Sequence, residues 1–213
     1  MSAAARFLPR LQAIIDVDVA AAAGWMAVDL CRAYLDGGAR FLQLRAKALP
    51  SSRFLDICDA VVALTREAGA LVIVNDRVDL AKLSGASGVH VGQDDLPVAE
   101  ARALLGDEAI IGFSTHSIAQ LQAALAQPSS YVAVGPVFGT RTKDTGYEAV
   151  GLRLVSEAAR LCGERPVVAI GGITLDNAPS VIEAGAACVA VIGDLLAVGR
   201  PEERVRDYCR VLR

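Results

Sequence analysis

Aromatic residues are scarce in this sequence: they make up 5% of 213 positions and include a single Trp. A core built on large rings is excluded. Ala and Val supply much of the 54% hydrophobic content instead, which suits close packing of helices on strands. That hydrophobicity also excludes a disordered chain. Neither sign of charge is in large excess: 21 Lys and Arg against 24 Asp and Glu leave a net charge of −3. No global field therefore draws nucleic acid or an anionic membrane, and any anion must be held by a local cluster of positive groups. Apolar runs fall short of the ~20 residues of a membrane span. The opening MSAAARFLPR lacks the long apolar stretch of a signal peptide. Cysteine pairing signatures are missing too. Cys31, Cys58, Cys162, Cys188 and Cys209 are odd in number and none has C-x-x-C spacing. They read as reduced, mostly buried thiols of a cytoplasmic protein.

What is present is a regular alternation. Eight segments read as buried strands: LQAIID (11–16), FLQLRA (41–46), LVIVND (71–76), GVHVG (88–92), IIGFST (110–115), YVAVGPV (131–137), PVVAIGG (166–172) and CVAVIG (188–193). Most are apolar over four or five residues, as parallel strands covered on both faces require. Their mean period of about 25 residues leaves room for one helix between successive strands. Helix signals fill the gaps. Ser51 or Ser52 is expected to cap one helix, with Phe54, Leu55, Cys58, Val61 and Val62 on one face and Gly69 after its end. Ser117 is expected to cap a second, Thr174 a third, and Pro201 to open the last; residues 77–84 allow only a short helix. A doubly wound open sheet and a closed (β/α)8 barrel both satisfy this alternation; eight regular units in 213 residues favour the barrel. No composition shift marks a second domain. The expectation is one barrel domain over 1–213, with residues 1–10 as a short N-terminal extension.

In such a barrel the active site lies at the C-terminal ends of the strands, and polar residues collect there. The second strand ends in Gln43, Arg45 and Lys47, which alternation sends to one face, a set able to hold a diphosphate. The third ends Asn75-Asp76-Arg77, and the fourth runs through His90 to Gly92, Gln93, Asp94 and Asp95. Two carboxylates at neighbouring strand ends suit a hard cation such as Mg2+ shared with substrate phosphates. Two plainer roles stand beside that one: Asp95 as a helix cap before Leu96-Pro97, and Asp76 in a salt bridge to Arg77. The fifth strand ends Ser114-Thr115-His116, where His116 is either an acid or base or a satisfied structural group. His90, inside an apolar strand, is expected to be packed there. The seventh ends Gly171-Gly172-Ile173-Thr174, placed before a helix as a phosphate site requires, and the eighth ends Ile192-Gly193-Asp194. After the sixth strand, GPVFGTRTKDTG brings Thr140, Arg141, Thr142, Lys143 and Thr145 onto one loop, which is either a solvated connector or a cradle for an anion.

Taken in order, QLRAK (43–47), NDR (75–77), V-H-x-G-Q-x-D-L-P (89–97), G-x-S-T-H (112–116), G-P-x-F-x-T-x-T-K (135–143) and GGIT (171–174) resemble the thiamine-phosphate synthase family over nearly the whole chain. The resemblance implies a transferase. It would join 4-amino-5-hydroxymethyl-2-methylpyrimidine diphosphate to hydroxyethylthiazole phosphate, giving thiamine monophosphate and diphosphate. It implies that Gln43, Leu44, Arg45, Ala46, Lys47, Asn75, Ser114 and Lys143 hold the pyrimidine diphosphate. By the same token Mg2+ sits on Asp76 and Asp95, and the thiazole phosphate meets Thr140, Arg141, Thr142, Gly172, Ile192 and Gly193. Arg45, Lys47, Ser114 and Lys143 would carry the catalysis. Partners would be these two small molecules, with neither nucleic acid nor membrane, and a homo-oligomer is compatible with the pattern. One position departs from the family, which usually ends its last strand in a serine where this chain has Gly193 followed by Asp194. That departure keeps open a non-catalytic thiazole-phosphate-binding barrel. His116, placed where the related thiazole tautomerase has its catalytic histidine, keeps open an isomerase.

Overall fold

The computed structural model describes residues 8–139 and 148–213. Eight parallel strands close into a barrel in sequence order: β1 Leu11–Asp16, β2 Phe41–Arg45, β3 Leu71–Asn75, β4 Gly88–Val91, β5 Ile110–Thr115, β6 Tyr131–Val134, β7 Val167–Ile170 and β8 Cys188–Val191, which pairs back onto β1. The expected barrel is therefore found, and the open sheet is not. Around it run α1 Val17–Ala22, α2 Ala27–Asp36, α3 Ser51–Glu67, α4 Val78–Ser84, α5 Val98–Leu105, α6 Ile118–Leu125, α7 Gly151–Cys162, α8 Ala178–Glu183 and α9 Pro201–Val211. None of the described helices is long and apolar enough to cross a membrane.

Strand periodicity divides the core into two parts. Outward residues such as Ile15, Leu42, Leu44, Val72, Val74, Val89, Ile111 and Val132 pack under the helices, while Ile14, Phe41, Ile73, Ile110, Tyr131, Val168 and Cys188 fill the barrel interior. Along several strands the inward residues change character toward the C-terminal end. Phe41 is followed on its face by Gln43 and Arg45, Ile73 by Asn75, and Ile110 by Gly112 and Ser114. An apolar plug thus supports a polar mouth, and the period of two places each functional side chain without any irregularity of the strands.

Two expected caps differ. Ser51 is the first residue of α3 and makes no capping bond; Pro50 precedes it as the N-cap with no side-chain cap, its φ of −57° held by its ring. Thr174 does not begin a helix. Its N–H donates to Asn177 Oδ1 at 2.8 Å, a side-chain turn that delays α8 to Ala178. Ser117 does cap α6, accepting from the Gln120 N–H at 3.2 Å. All five cysteines are unbridged, and burial pushes the Cys31 and Cys58 thiols up to about 12, so they stay protonated and inert.

The Tyr34 hydroxyl on α2 is fully buried with no hydrogen-bond partner among the described residues. Leaving a buried donor unpaired costs on the order of 1–3 kcal/mol. Tyr34→Phe is therefore expected to raise the midpoint of thermal unfolding or leave it unchanged; a clear drop would mean that the hydroxyl has a partner after all.

Candidate active site

A cavity of about 620 Å3 opens at the C-terminal ends of the strands. On one side it is lined by Gln43, Arg45, Lys47, Asn75, Asp76, Asp95 and Ser114, and on the other by Gly171 to Thr174 and Ile192 to Asp194. Leu44 and Ala46 do not line it. Alternation turns their side chains into the outer core. Thr140, Arg141, Thr142, Lys143 and Thr145 lie outside the described residues; Gly139, just before them, is on the cavity wall.

Each cation of β2 and its following loop has a carboxylate partner. Arg45 donates to Asp16, its register neighbour at the end of β1, and Asp16 is buried with only 3% of its side chain exposed. The other oxygen of Asp16 accepts from the N–H groups of Asp18 and Val19 at 3.2 Å each, capping α1. One carboxylate thus fixes both a helix start and the guanidinium. Lys47 Nζ donates to Asp76 Oδ2 at 2.7 Å. Asp76 does not pair with Arg77, which instead grips Asp79 at 2.5 and 2.9 Å through a fork and donates to Ser51 at 3.0 Å. Asp76 has φ +64°, the only positive φ at a non-glycine among the described residues. Such backbone is uncommon outside Gly, Asn and Asp, and here it swings the carboxylate to the mouth rather than along the strand.

Asp95 does not cap α5, which begins after Pro97 with no side-chain cap. Its Oδ2 accepts from the Gly92 N–H at 2.7 Å, holding the turn after β4. Burial and the neighbouring Asp76 carboxylate raise its proton affinity above that of an ordinary aspartate. Asp76 and Asp95 together form a pair of hard oxygen donors with Lys47 as the nearby positive charge. Among the described residues no group of three or more His, Cys, Asp or Glu could hold a metal alone. Two carboxylates completed by substrate oxygens and water is the donor set that Mg2+ accepts, so the residues present fit that ion.

Below the mouth lies a polar relay that sequence reasoning missed. His90 meets the Tyr131 hydroxyl through Nδ1 and Ser114 Oγ through Nε2, both at 2.8 Å, and Gln12 Nε2 donates to Tyr131 at 3.5 Å. The expectation of a packed His90 holds, its ring being buried and stacked on Tyr131; the ring also lines the cavity and joins β4 to β5 and β6. Gly112 makes room for it: a Cβ there would lie 2.2 Å from the Tyr131 hydroxyl and 2.4 Å from His90 Nδ1. Inward alternation could have flagged Gln12 and Tyr131, but a lone Gln and Tyr in apolar strands carry no motif. His116 donates from Nδ1 to the Gly135 carbonyl at 2.5 Å, tying the end of β5 to the loop after β6.

The turn after β7 approaches neighbouring backbone closely. Gly172 has φ +63°, and a Cβ there would meet the Gly139 carbonyl at 2.6 Å. The expected helix N-terminus behind this turn is absent, because α8 starts only at Ala178 and has six residues. Asp194, on the cavity wall, reaches α9 with its carboxylate, where Arg204 donates to both its oxygens at 2.9 Å and the Tyr208 hydroxyl at 2.6 Å. The carboxylate charge is thereby paired within the protein.

Taken together, these features define a (β/α)8-barrel protein with a polar cavity at the C-terminal ends of its strands. The model of the thiamine monophosphate synthase family matches residues 15–195. The thiamine-phosphate synthase of Anaeromyxobacter dehalogenans is 47% identical over 171 residues, covering 80% of this chain and 76% of that protein. That of Roseiflexus sp. is 45% identical over 192 residues, covering 90% and 81%. A solved structure of thiamine phosphate pyrophosphorylase from Pyrococcus furiosus superposes with a TM-score of 0.87 at 30% identity, covering 97% of this chain and 96% of the other. The chain belongs to the thiamine monophosphate synthase family.

Proposed function

We propose that the protein condenses 4-amino-5-hydroxymethyl-2-methylpyrimidine diphosphate with hydroxyethylthiazole phosphate, releasing diphosphate and forming thiamine monophosphate. The observation that carries this reading is the convergence of Arg45, Lys47, Asp76, Asp95 and Ser114 on one rim of a cavity whose other rim is Gly172 and Ile192-Gly193. A diphosphate ester and a phosphate monoester need two such rims at once.

In this mechanism Gln43, Asn75 and Ser114 orient the pyrimidine, with Ser114 held by His90. Arg45, Lys47 and Lys143 neutralise charge as it develops on the departing diphosphate, the preorganised stabilisation that contributes most where water is excluded. Asp76 and Asp95 would hold Mg2+, which when bound supplies further charge neutralisation to the diphosphate oxygens. The C–O bond at the pyrimidine methylene breaks, the electron-rich aminopyrimidine carries the positive charge, and the thiazole nitrogen forms the new C–N bond. No protein nucleophile is required, which agrees with five unreactive cysteines. Thr140, Arg141 and Thr142 are assigned to the thiazole phosphate beside Gly172, Ile192 and Gly193. Leu44 and Ala46 are assigned to backbone contacts.

The test is direct: purified protein is mixed with both substrates and Mg2+, and thiamine phosphate and free diphosphate are followed together. The expected result is equimolar appearance of the two. Binding of the thiazole phosphate without any product overturns the reading in favour of a binding barrel. Isomerisation of a thiazole precursor without condensation overturns it in favour of the isomerase.

A further inference from the structure

Asp194 sits where the two turns of the second rim meet, and both oxygens of its side chain accept hydrogen bonds from protein groups. Oδ1 accepts from Arg204 Nη2 at 2.9 Å. Oδ2 accepts from Arg204 Nη2 at 2.9 Å and Nε at 3.1 Å, from the Tyr208 hydroxyl at 2.6 Å and from the Leu175 N–H at 3.1 Å. The Arg204 guanidinium also stands 5.9 Å from the Tyr208 ring centroid and donates to the Asp194 carbonyl at 3.3 Å. Asp176 is the other acidic group facing this cluster.

Leu175 belongs to the turn that follows Gly171-Gly172. Within that turn Asn177 Nδ2 donates to the Gly172 carbonyl at 3.1 Å, and Asn177 Oδ1 accepts from the Thr174 N–H at 2.8 Å. Hydrogen bonds thus lead from Gly172 through Asn177 to Thr174, the chain continues to Leu175, and a further hydrogen bond reaches Asp194 and from there α9. Because α8 is a six-residue helix that starts late, it gives this turn little support of its own. Side-chain bonds to a charged group, which are stronger than neutral ones, fill that role.

We propose that Asp194 is a positioning residue of the thiazole-phosphate rim. It fastens the turn after β7 to the turn after β8 and anchors both on Arg204 and Tyr208 of α9, so that the backbone of Gly172 and Gly193 is held in register for a phosphate monoester. This rests on the function proposed above. It gives the C-terminal helix, remote from the pyrimidine rim, a part in substrate selection.

The experiment compares Asp194→Ala, Asp194→Asn and Tyr208→Phe in the full chain. Steady-state rates with each substrate varied in turn are expected to show KM for the thiazole phosphate raised about tenfold in Asp194→Ala, with kcat and KM for the pyrimidine diphosphate changed less than about threefold, the pattern of lost uniform binding. Asp194→Asn keeps an acceptor for Leu175 and is expected to recover most of the loss; Tyr208→Phe keeps the ion pair and is expected to lose only two- to threefold. Equal effects on both substrates, or a lower melting temperature with unchanged KM, would overturn the proposal. Amide exchange at Leu175 supplies a readout independent of turnover: its protection should fall in Asp194→Ala. Unchanged protection sinks the latch even in an active enzyme. A wild-type protein that makes no thiamine phosphate, yet loses Leu175 protection in the variant, sinks the function and leaves the latch standing.

Discussion

Asp95→Asn is expected to lower turnover by about 10²–10³-fold, the loss typical when a preorganised electrostatic stabiliser is removed. It should at the same time raise the melting temperature at neutral pH. The two effects have one cause. In the fold, burial and the Asp76 carboxylate disfavour the ionised form of Asp95 and raise its proton affinity. A carboxyl group raised in the native state binds protons more tightly there than in the unfolded chain. Its contribution to stability is therefore complete below its unfolded pKa and is lost as pH rises through the folded value. At pH 7 the charge is a burden on the fold, and the amide removes it while keeping an acceptor for the Gly92 N–H. If the two carboxylates hold a divalent cation as proposed, treatment with a chelator is expected to abolish turnover, and added Mg2+ to restore it. Metal-independent turnover, or an Asp95→Asn protein that is both active and less stable, would show that the two carboxylates are not a cation site.

The second large effect is expected at Asp16. Removing one partner of a buried ion pair leaves the other charge uncompensated and typically costs about 3–5 kcal/mol; losing the cap on α1 adds about 1 kcal/mol. Arg45 keeps 13% of its side chain exposed, so solvent relieves part of that cost and the lower end of the range applies. For a chain of this size, the sum of about 4 kcal/mol corresponds to a fall in melting temperature of roughly 8–16 °C. Asp16→Ala should show that fall together with a loss of kcat, because Arg45 is no longer aimed at the diphosphate rim. Asp16→Asn retains the cap and should lie between the two. A melting temperature within 2 °C of wild type, set against the expected shift, would mean that Arg45 finds another partner and that the pair does not organise the site.

The barrel was legible because its signal is periodic. Eight apolar runs at even spacing leave little choice, and period-two alternation correctly sends Gln43, Arg45 and Lys47 to the mouth. Asp76 and Asp95 were legible as a pair because Asp76 directly follows one short apolar strand and Asp95 lies in the turn after the next. What was not legible depends on register and side-chain geometry. Asp16 reads as the last residue of a strand, and only the alignment of β1 with β2 puts it beside Arg45. The His90–Tyr131–Ser114 relay joins three strands whose separation in sequence hides it. Thr174 and Ser51 misled for a local reason: hydroxyl residues near a helix start are also the residues of side-chain turns and of first helical turns. Asp194 reads as a charge beside a phosphate until α9, a dozen residues later, is folded against it.

Gly171 and Gly172 carry one more consequence. The Phe138 N–H donates to the Gly171 carbonyl at 3.0 Å, and any carbon added at Gly172 would press on Phe138 and on the Gly139 carbonyl. With no side chain as a cushion between them, the chain after β6 and the turn after β7 cannot be repacked independently. A bulkier residue at 172 would therefore be corrected most readily by a compensating change at 138 or 139, not by one within its own turn. Directed evolution of the second rim for larger phosphate esters should find its solutions as paired substitutions across this seam.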